Sequence, residues 1–144
     1  MFNSILVICT GNICRSPLGE RLLRQCISDM KIDSAGTHGL VGCPADTRAE
    51  KIALSHGLSL NGHVSRKIDL EMVGRYDLIL AMGPKHINHV TTLAPEARGK
   101  TLLFGQWIGE QEIPDPFARN LQTFEHVYHL LSQASQEWAK RLGK

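Results

Sequence analysis

Eight residues near the N-terminus combine the groups needed for chemistry on an anion: Cys9-Thr10-Gly11-Asn12-Ile13-Cys14-Arg15-Ser16. A thiol is followed after five residues by a guanidinium and then a hydroxyl. The apolar run Ile5-Leu6-Val7-Ile8 precedes them and Pro17 opens a helix-like segment, so the stretch reads as strand, tight loop and helix start. In such a loop successive N–H groups point inward and form an anion-binding nest, and the helix N-terminus adds partial positive charge. Gly11 takes positive φ at little cost, and Asn12 tolerates the left-handed region better than most residues. Ser16 reads as the N-cap and Pro17 as the first helical residue. Arg15 offers a planar fork to two oxygens of a phosphate. Helix N-termini and nearby guanidinium groups favour the thiolate of a cysteine, so Cys9 at the cradle floor reads as a nucleophile beneath a bound anion.

Thiolate attack on phosphorus calls for an acid at the leaving oxygen, because an alkoxide or phenoxide leaves poorly. Ile113-Pro114-Asp115-Pro116-Phe117 supplies a candidate: two prolines stiffen the chain around one carboxylic acid, and an aromatic ring follows. A plain Pro-Asp-Pro turn is the alternative for that pentapeptide taken alone; the cradle shifts the balance to Asp115 as acid and then base around a phosphocysteine intermediate. The loop amides and Arg15 would carry the charge stabilisation, so no cofactor or metal is expected in the reaction. Cys14 shares the loop with Cys9. It reads either as a partner for an oxidised Cys9, giving a reversible disulfide, or as a buried thiol without a redox role.

The elements that must hold these residues follow from periodicity. Residues 3–9 form a continuous apolar strand, as in a sheet covered on both faces. Residues 16–27 read as a helix with Leu18, Leu22 and Cys26 on one stripe and Glu20, Arg21 and Arg24 on the other side. Strands are expected at 31–35, 77–82 and 100–104. Helices are expected at 46–56, 69–73, 85–93 and 121–142, the last with Phe124, Val127, Tyr128, Leu131, Trp138 and Leu142 on one stripe. Gly57 reads as a helix stop. The loops at 36–45 and 105–118 lie where the rim of the cradle should be. In the first, Leu40 and Val41 either wall a pocket or pack under the loop. Alternating strands and helices with short links imply an α/β sandwich around a parallel sheet, with ligands at the strand C-terminal ends.

Composition excludes several classes. A chain of 144 residues with 42% hydrophobic and 21% charged content is expected to be one domain spanning 1–144. A net charge of +2, without a basic block or interleaved aromatics, does not point to nucleic acid. No run approaches a membrane span, and the apolar stretch at Ile5 lacks a basic leader. Four cysteines without the spacing of a secreted framework are expected to be reduced thiols in the cytoplasm. His86 and His89 sit three apart, as do His126 and His129; neither pair has a third ligand nearby in sequence, and both read as solvated faces.

The chain resembles the low-molecular-weight protein tyrosine phosphatases over nearly its whole length. Cys9 to Pro17 is similar to that family's phosphate loop, and Asp115-Pro116 to its late acid loop. The resemblance implies Cys9 as nucleophile, Arg15 as phosphate clamp and Asp115 as general acid, with Ser16 hydrogen-bonded to the thiolate. It implies that Asn12, Ser34 and His63 hold the loop in shape, and that Leu40 walls the pocket, with Phe117 beside it at the substrate rim. It implies a three-layer α/β sandwich whose four-stranded parallel sheet runs in the order 2-1-3-4, flanked by helices.

Leu103-Phe104-Gly105-Gln106-Trp107 and Glu112-Ile113-Pro114-Asp115-Pro116 resemble the enterobacterial branch tied to capsule and exopolysaccharide export. That implies a phosphotyrosine protein as partner, namely a membrane tyrosine autokinase with a tyrosine-rich tail. Three positions depart from the family pattern: Gly83 where many relatives have an acid, Phe117 in place of a common tyrosine, and Ala118 where a second aromatic often stands. The related arginine phosphatases carry Thr where this chain has Ile13, which favours an aryl phosphate here. Thioredoxin-coupled arsenate reductases need further cysteines near the later strand, where this chain reads Ala81-Met82-Gly83. A non-catalytic phosphotyrosine-binding module is a further reading, disfavoured because Cys9 and Asp115 are both present.

Overall fold

A computed structural model describes residues 2–38 and 40–144. Four strands, β1 (Ser4–Cys9), β2 (Lys31–Gly36), β3 (Leu78–Ala81) and β4 (Thr101–Leu103), form one parallel sheet in the order β2-β1-β3-β4. In register, Cys9 lies opposite Gly36 and Ile8 opposite Ala81, so β1 is central and its C-terminal end is flanked on both sides.

Period-two alternation divides β1 between two cores. Ile5, Val7 and Cys9 face a layer built from α1 (Arg15–Cys26), α2 (Thr47–Ser55) and α5 (Leu121–Arg141). Leu6 and Ile8 face the other layer, built from α3 (Leu70–Arg75), α4 (Pro84–Leu93) and a 3-10 turn at Pro95–Lys100. All six β1 residues are buried, which accounts for their unbroken apolar run. The expected α/β sandwich, strand order and helices are present.

Local chemistry sets the element ends. The Asp46 carboxylate accepts from the Arg48 amide and starts α2, Asp69 does the same for α3 through Met72, and Asn120 for α5 through Thr123. The 3-10 turn was not anticipated from the sequence; Ala94 and Ala97 are small enough to bury there beside Val90. The strands also run shorter than expected at 77–82 and 100–104, although the Met82 amide still bonds to the Ile8 carbonyl and the Phe104 amide to that of Ala81. Among the described residues no helix is long and apolar enough to cross a membrane.

Candidate active site

The cradle forms where β1 ends. Cys9 is 3% exposed and lies at the base of a cleft of about 440 Å³, lined among others by Gly11, Ile13, Cys14, Arg15, Leu40, Asp115 and Phe117. Its Sγ lies 2.9 Å from the Ser16 hydroxyl and accepts the Asn12 amide at 3.3 Å. The amides of Gly11, Ile13 and Cys14 find no acceptor among the described residues, although all three residues line the cleft. They are donors available to an anion.

One side chain fixes the loop. Asn12 is fully buried and holds φ at 59°, in the left-handed region. Its Nδ2 donates to Ser16 at 2.7 Å and to Ser34 at 2.9 Å, and its Oδ1 accepts the Arg66 amide at 2.9 Å. Its carbonyl accepts from His63 Nε2 at 2.6 Å, and burial lowers the pKa of that imidazole. The Ser34 hydroxyl, on β2, donates in turn to Glu20 Oε1 at 2.8 Å. Ser34 and His63 thus both hydrogen-bond to Asn12 of the loop.

Ser16 does not cap α1. The flanking residue lies two positions earlier, at Cys14, with no side-chain cap, and Pro17 is the third residue of the helix. The Ser16 hydroxyl is committed to Cys9 and Asn12 instead. Glu20, expected on the solvent side of α1, is 5% exposed and holds Ser34 together with Arg21 and Arg24. The signal for it was present: Glu20 lies four residues after Ser16, on the same helical face.

Arg15 is 4% exposed, and its position is set by a contact that sequence spacing does not reveal. Nη1 donates to the Ile113 carbonyl at 2.9 Å, and Nη2 to Thr10 Oγ1 at 3.4 Å. Ile113 is itself fully buried, and its amide bonds to the Met82 carbonyl at the end of β3. That anchor brings the two-proline loop over the cradle: Asp115 Oδ2 lies 3.7 Å from Arg15 Nη2, and Oδ1 accepts the Phe117 amide at 3.0 Å. The Asp115 side chain remains about half exposed, at 54%.

Leu40 and Phe117 stand exposed at the rim, and Val41 is exposed but does not line the cleft. Of the two, only Leu40 lies among the residues that line the cleft. Gly83 packs against Glu112, so closely that an added Cβ would meet its carboxyl carbon at 2.9 Å. The Cys14 thiol is buried, and burial together with the nearby charges of Asp46, Cys9 and Asp115 pushes it well above the ordinary thiol range.

His86 corrects an expectation. It is 6% exposed rather than solvated, because the inward face of α4 carries His86 and Val90. Its Nε2 lies 2.9 Å from Thr10 Oγ1, the same oxygen that accepts from Arg15. Burial and the Arg15 charge push its pKa down to about 4. His86 thus joins the ring of residues around Arg15, and sequence spacing gave no sign of it.

Comparisons with known proteins fit this geometry. Residues 4–144 match the family described as low molecular weight phosphotyrosine protein phosphatase. The chain is 61% identical over 143 residues to low molecular weight protein-tyrosine-phosphatase Etp of Escherichia coli, covering 99% of this chain and 97% of the relative. The crystal structure of the tyrosine phosphatase Wzb from Escherichia coli K30 in complex with sulphate superposes with a TM-score of 0.97 at 52% identity, covering 99% of this chain and all of that one. The YwlE arginine phosphatase from Geobacillus stearothermophilus shares the fold at a TM-score of 0.91 but only 27% identity, over 98% of this chain and 93% of that one. A cysteine loop closed by a clamped arginine, a late acid above it and full-length similarity to two tyrosine phosphatases lead to one conclusion: the chain belongs to the low-molecular-weight protein tyrosine phosphatases.

Proposed function

We propose that the protein hydrolyses phosphotyrosine through a phosphocysteine at Cys9. The observation that carries this reading is the convergence of Cys9, Arg15 and Asp115 on one cleft with apolar Leu40 and Phe117 at its rim. The phosphoryl oxygens sit against the free loop amides and the Arg15 fork. The Cys9 thiolate attacks phosphorus; the bond to the tyrosyl oxygen breaks, and that oxygen takes a proton from Asp115. Water then attacks the phosphocysteine and gives its proton to the Asp115 carboxylate, which releases phosphate and restores the thiolate. Ser16 and the Asn12 amide steady the departing sulfur, at 2.9 and 3.3 Å.

The physiological target in this reading is a membrane tyrosine autokinase with a tyrosine-rich tail, in capsule or exopolysaccharide export, and the site of action is the cytoplasm. The likeness of residues 103–107 and 112–116 to the capsule-associated branch supports it. So does the greater similarity to tyrosine than to arginine phosphatases.

The test is turnover of a phosphotyrosine peptide from such a tail, against a phosphoarginine peptide, in excess chelator. Tyrosine-specific turnover that vanishes in Cys9→Ser is the expected result; a preference for phosphoarginine, or turnover surviving in Cys9→Ser, would overturn the reading. Asp115→Ala should lower kcat by roughly 10²–10⁴-fold on phosphotyrosine. It should do much less to aryl phosphates whose leaving group needs no proton, and equal losses on both would remove Asp115 from the acid role.

A further inference from the structure

Away from the cleft, three metal-ligating side chains from two elements converge. His56 is the residue that ends α2, while Glu125 and His129 lie one turn apart on α5 and share a face. His56 Nε2 lies 2.6 Å from Glu125 Oε2, and His129 Nε2 lies 3.4 Å from the same oxygen. All three ligand atoms fall within 4.8 Å of one another. The sequence pairs His129 with His126 by spacing, but folding brings it to His56 instead, more than 70 residues away in the chain.

The imidazole of His56 is not free to turn away. It stacks on the Tyr128 ring, with centroids 4.1 Å apart and planes 13° apart. It also meets the His129 ring edge-on at 5.4 Å. Two imidazoles therefore aim their Nε2 atoms at one carboxylate oxygen, whereas one would suffice for a hydrogen bond. Metal–nitrogen and metal–oxygen bonds of about 2.0–2.2 Å in a tetrahedron put ligand atoms roughly 3.3 Å apart. The observed 2.6 and 3.4 Å separations bracket that value, and the exposed side chains of Glu125 and His129 can make the adjustment. The negative end of the α2 dipole and the Glu125 charge both favour a cation here. A donor set of two imidazoles and a carboxylate suits zinc and its first-row neighbours, not magnesium or calcium, which prefer all-oxygen sites.

We propose that His56, Glu125 and His129 form a surface site for a divalent first-row transition ion, zinc above all, which clamps the C-terminal end of α2 onto α5. The site keeps a fourth position for water. It is distinct from the phosphate cradle: the opposite end of α2, at Asp46, donates its amide to the Ile13 carbonyl, and nine helical residues separate the two ends by roughly 14 Å.

Zinc also binds thiolates, so the test must tell the two kinds of site apart. Zinc titrated into the full chain, followed by calorimetry and by thermal unfolding, should show one ion per chain and a raised Tm. His129→Ala and Glu125→Gln lie on the surface, and each should fold with the metal-free Tm nearly unchanged while weakening zinc by more than roughly tenfold, since even outer-shell losses cost that much. Cobalt in place of zinc should give ligand-field bands without the intense thiolate charge-transfer absorption. The proposal fails if wild type binds no zinc up to millimolar concentration, if either variant binds as tightly as wild type, or if the cobalt spectrum is that of thiolate ligation. Because the clamp is remote from the reacting atoms, both variants should keep wild-type turnover in chelator.

Discussion

At the scale of single residues, the site depends on polar groups that each satisfy another. Thr10 Oγ1 accepts from Arg15 and meets His86 Nε2, and Asn12 serves four partners from one side chain and its carbonyl. This arrangement has a pH consequence. The pKa of His86 drops to about 4 in the folded state, against an ordinary value near 6.5. Below pH 6.5 the unfolded chain therefore binds a proton that the folded chain refuses, so stability falls as pH falls from 6.5 toward 4 and is fully present above 6.5. The loss from His86 should reach up to about 3 kcal/mol. His63, whose pKa is also lowered by burial, adds in the same direction. His86→Gln keeps a group that can hydrogen-bond to Thr10 but cannot take the proton. Denaturant unfolding at a series of pH values should give a shallower acid limb for it than for wild type, and parallel limbs would clear His86 of this role.

At the scale of elements, β2 crosses tightly beneath the phosphate loop. Gly36 ends β2 opposite Cys9, and a Cβ there would stand 2.5 Å from the Thr10 carbonyl oxygen. Gly36→Ala must push the loop off the strand. It should cost about 1–3 kcal/mol as overpacking does, and it should lower kcat with it. Gly74, in α3, meets nothing within 4 Å, so Gly74→Ala should instead stabilise by about 0.5–1 kcal/mol. Thermal unfolding of the pair should move Tm in opposite directions; a neutral Gly36→Ala would show that the loop yields freely. Apolar periodicity made β1, α1 and α5 legible in the sequence, and helix starts near Asp46 and Asp69 were readable because the signals that begin a helix are local. The cradle was legible for the same reason, as eight consecutive residues carry it. His86 was not, because its partner lies on the loop and a polar residue on a helix reads as solvent-facing unless its long-range partner is known; for Glu20 the spacing from Ser16 marked the face but not the partner on β2. The Ile113 carbonyl that holds Arg15 was illegible for a further reason: a backbone group leaves no mark in residue type.

At the scale of the whole molecule, the cradle joins parts that are distant in the chain. Arg15 ties the start of α1 to residue 113, Asn12 ties the loop to residue 66, and the Trp138 indole of α5 donates to the Phe104 carbonyl at the end of β4 at 2.8 Å. Arg48 completes the circuit: it donates to the Arg119 carbonyl at 3.0 Å and lies over the Phe124 and Phe117 rings. An anion bound at the free amides and Arg15 therefore bridges segments that must separate when the chain unfolds. Such a ligand stabilises the folded state by RT ln(1 + [L]/Kd), about 2.7 kcal/mol at a hundredfold excess over Kd. For a chain of this length that corresponds to a Tm rise of roughly 9 °C. Phosphate should produce the rise in wild type and in Cys9→Ser, which loses the nucleophile but keeps every donor. In Arg15→Ala the ligand-induced rise should nearly vanish, whatever the substitution does to the ligand-free Tm. The comparison rests on the increment with phosphate, not on absolute stability, so it separates clamping from folding. If Cys9→Ser lost the increment, the sulfur and not the donors would hold the anion; if Arg15→Ala kept it, the loop amides alone would be enough.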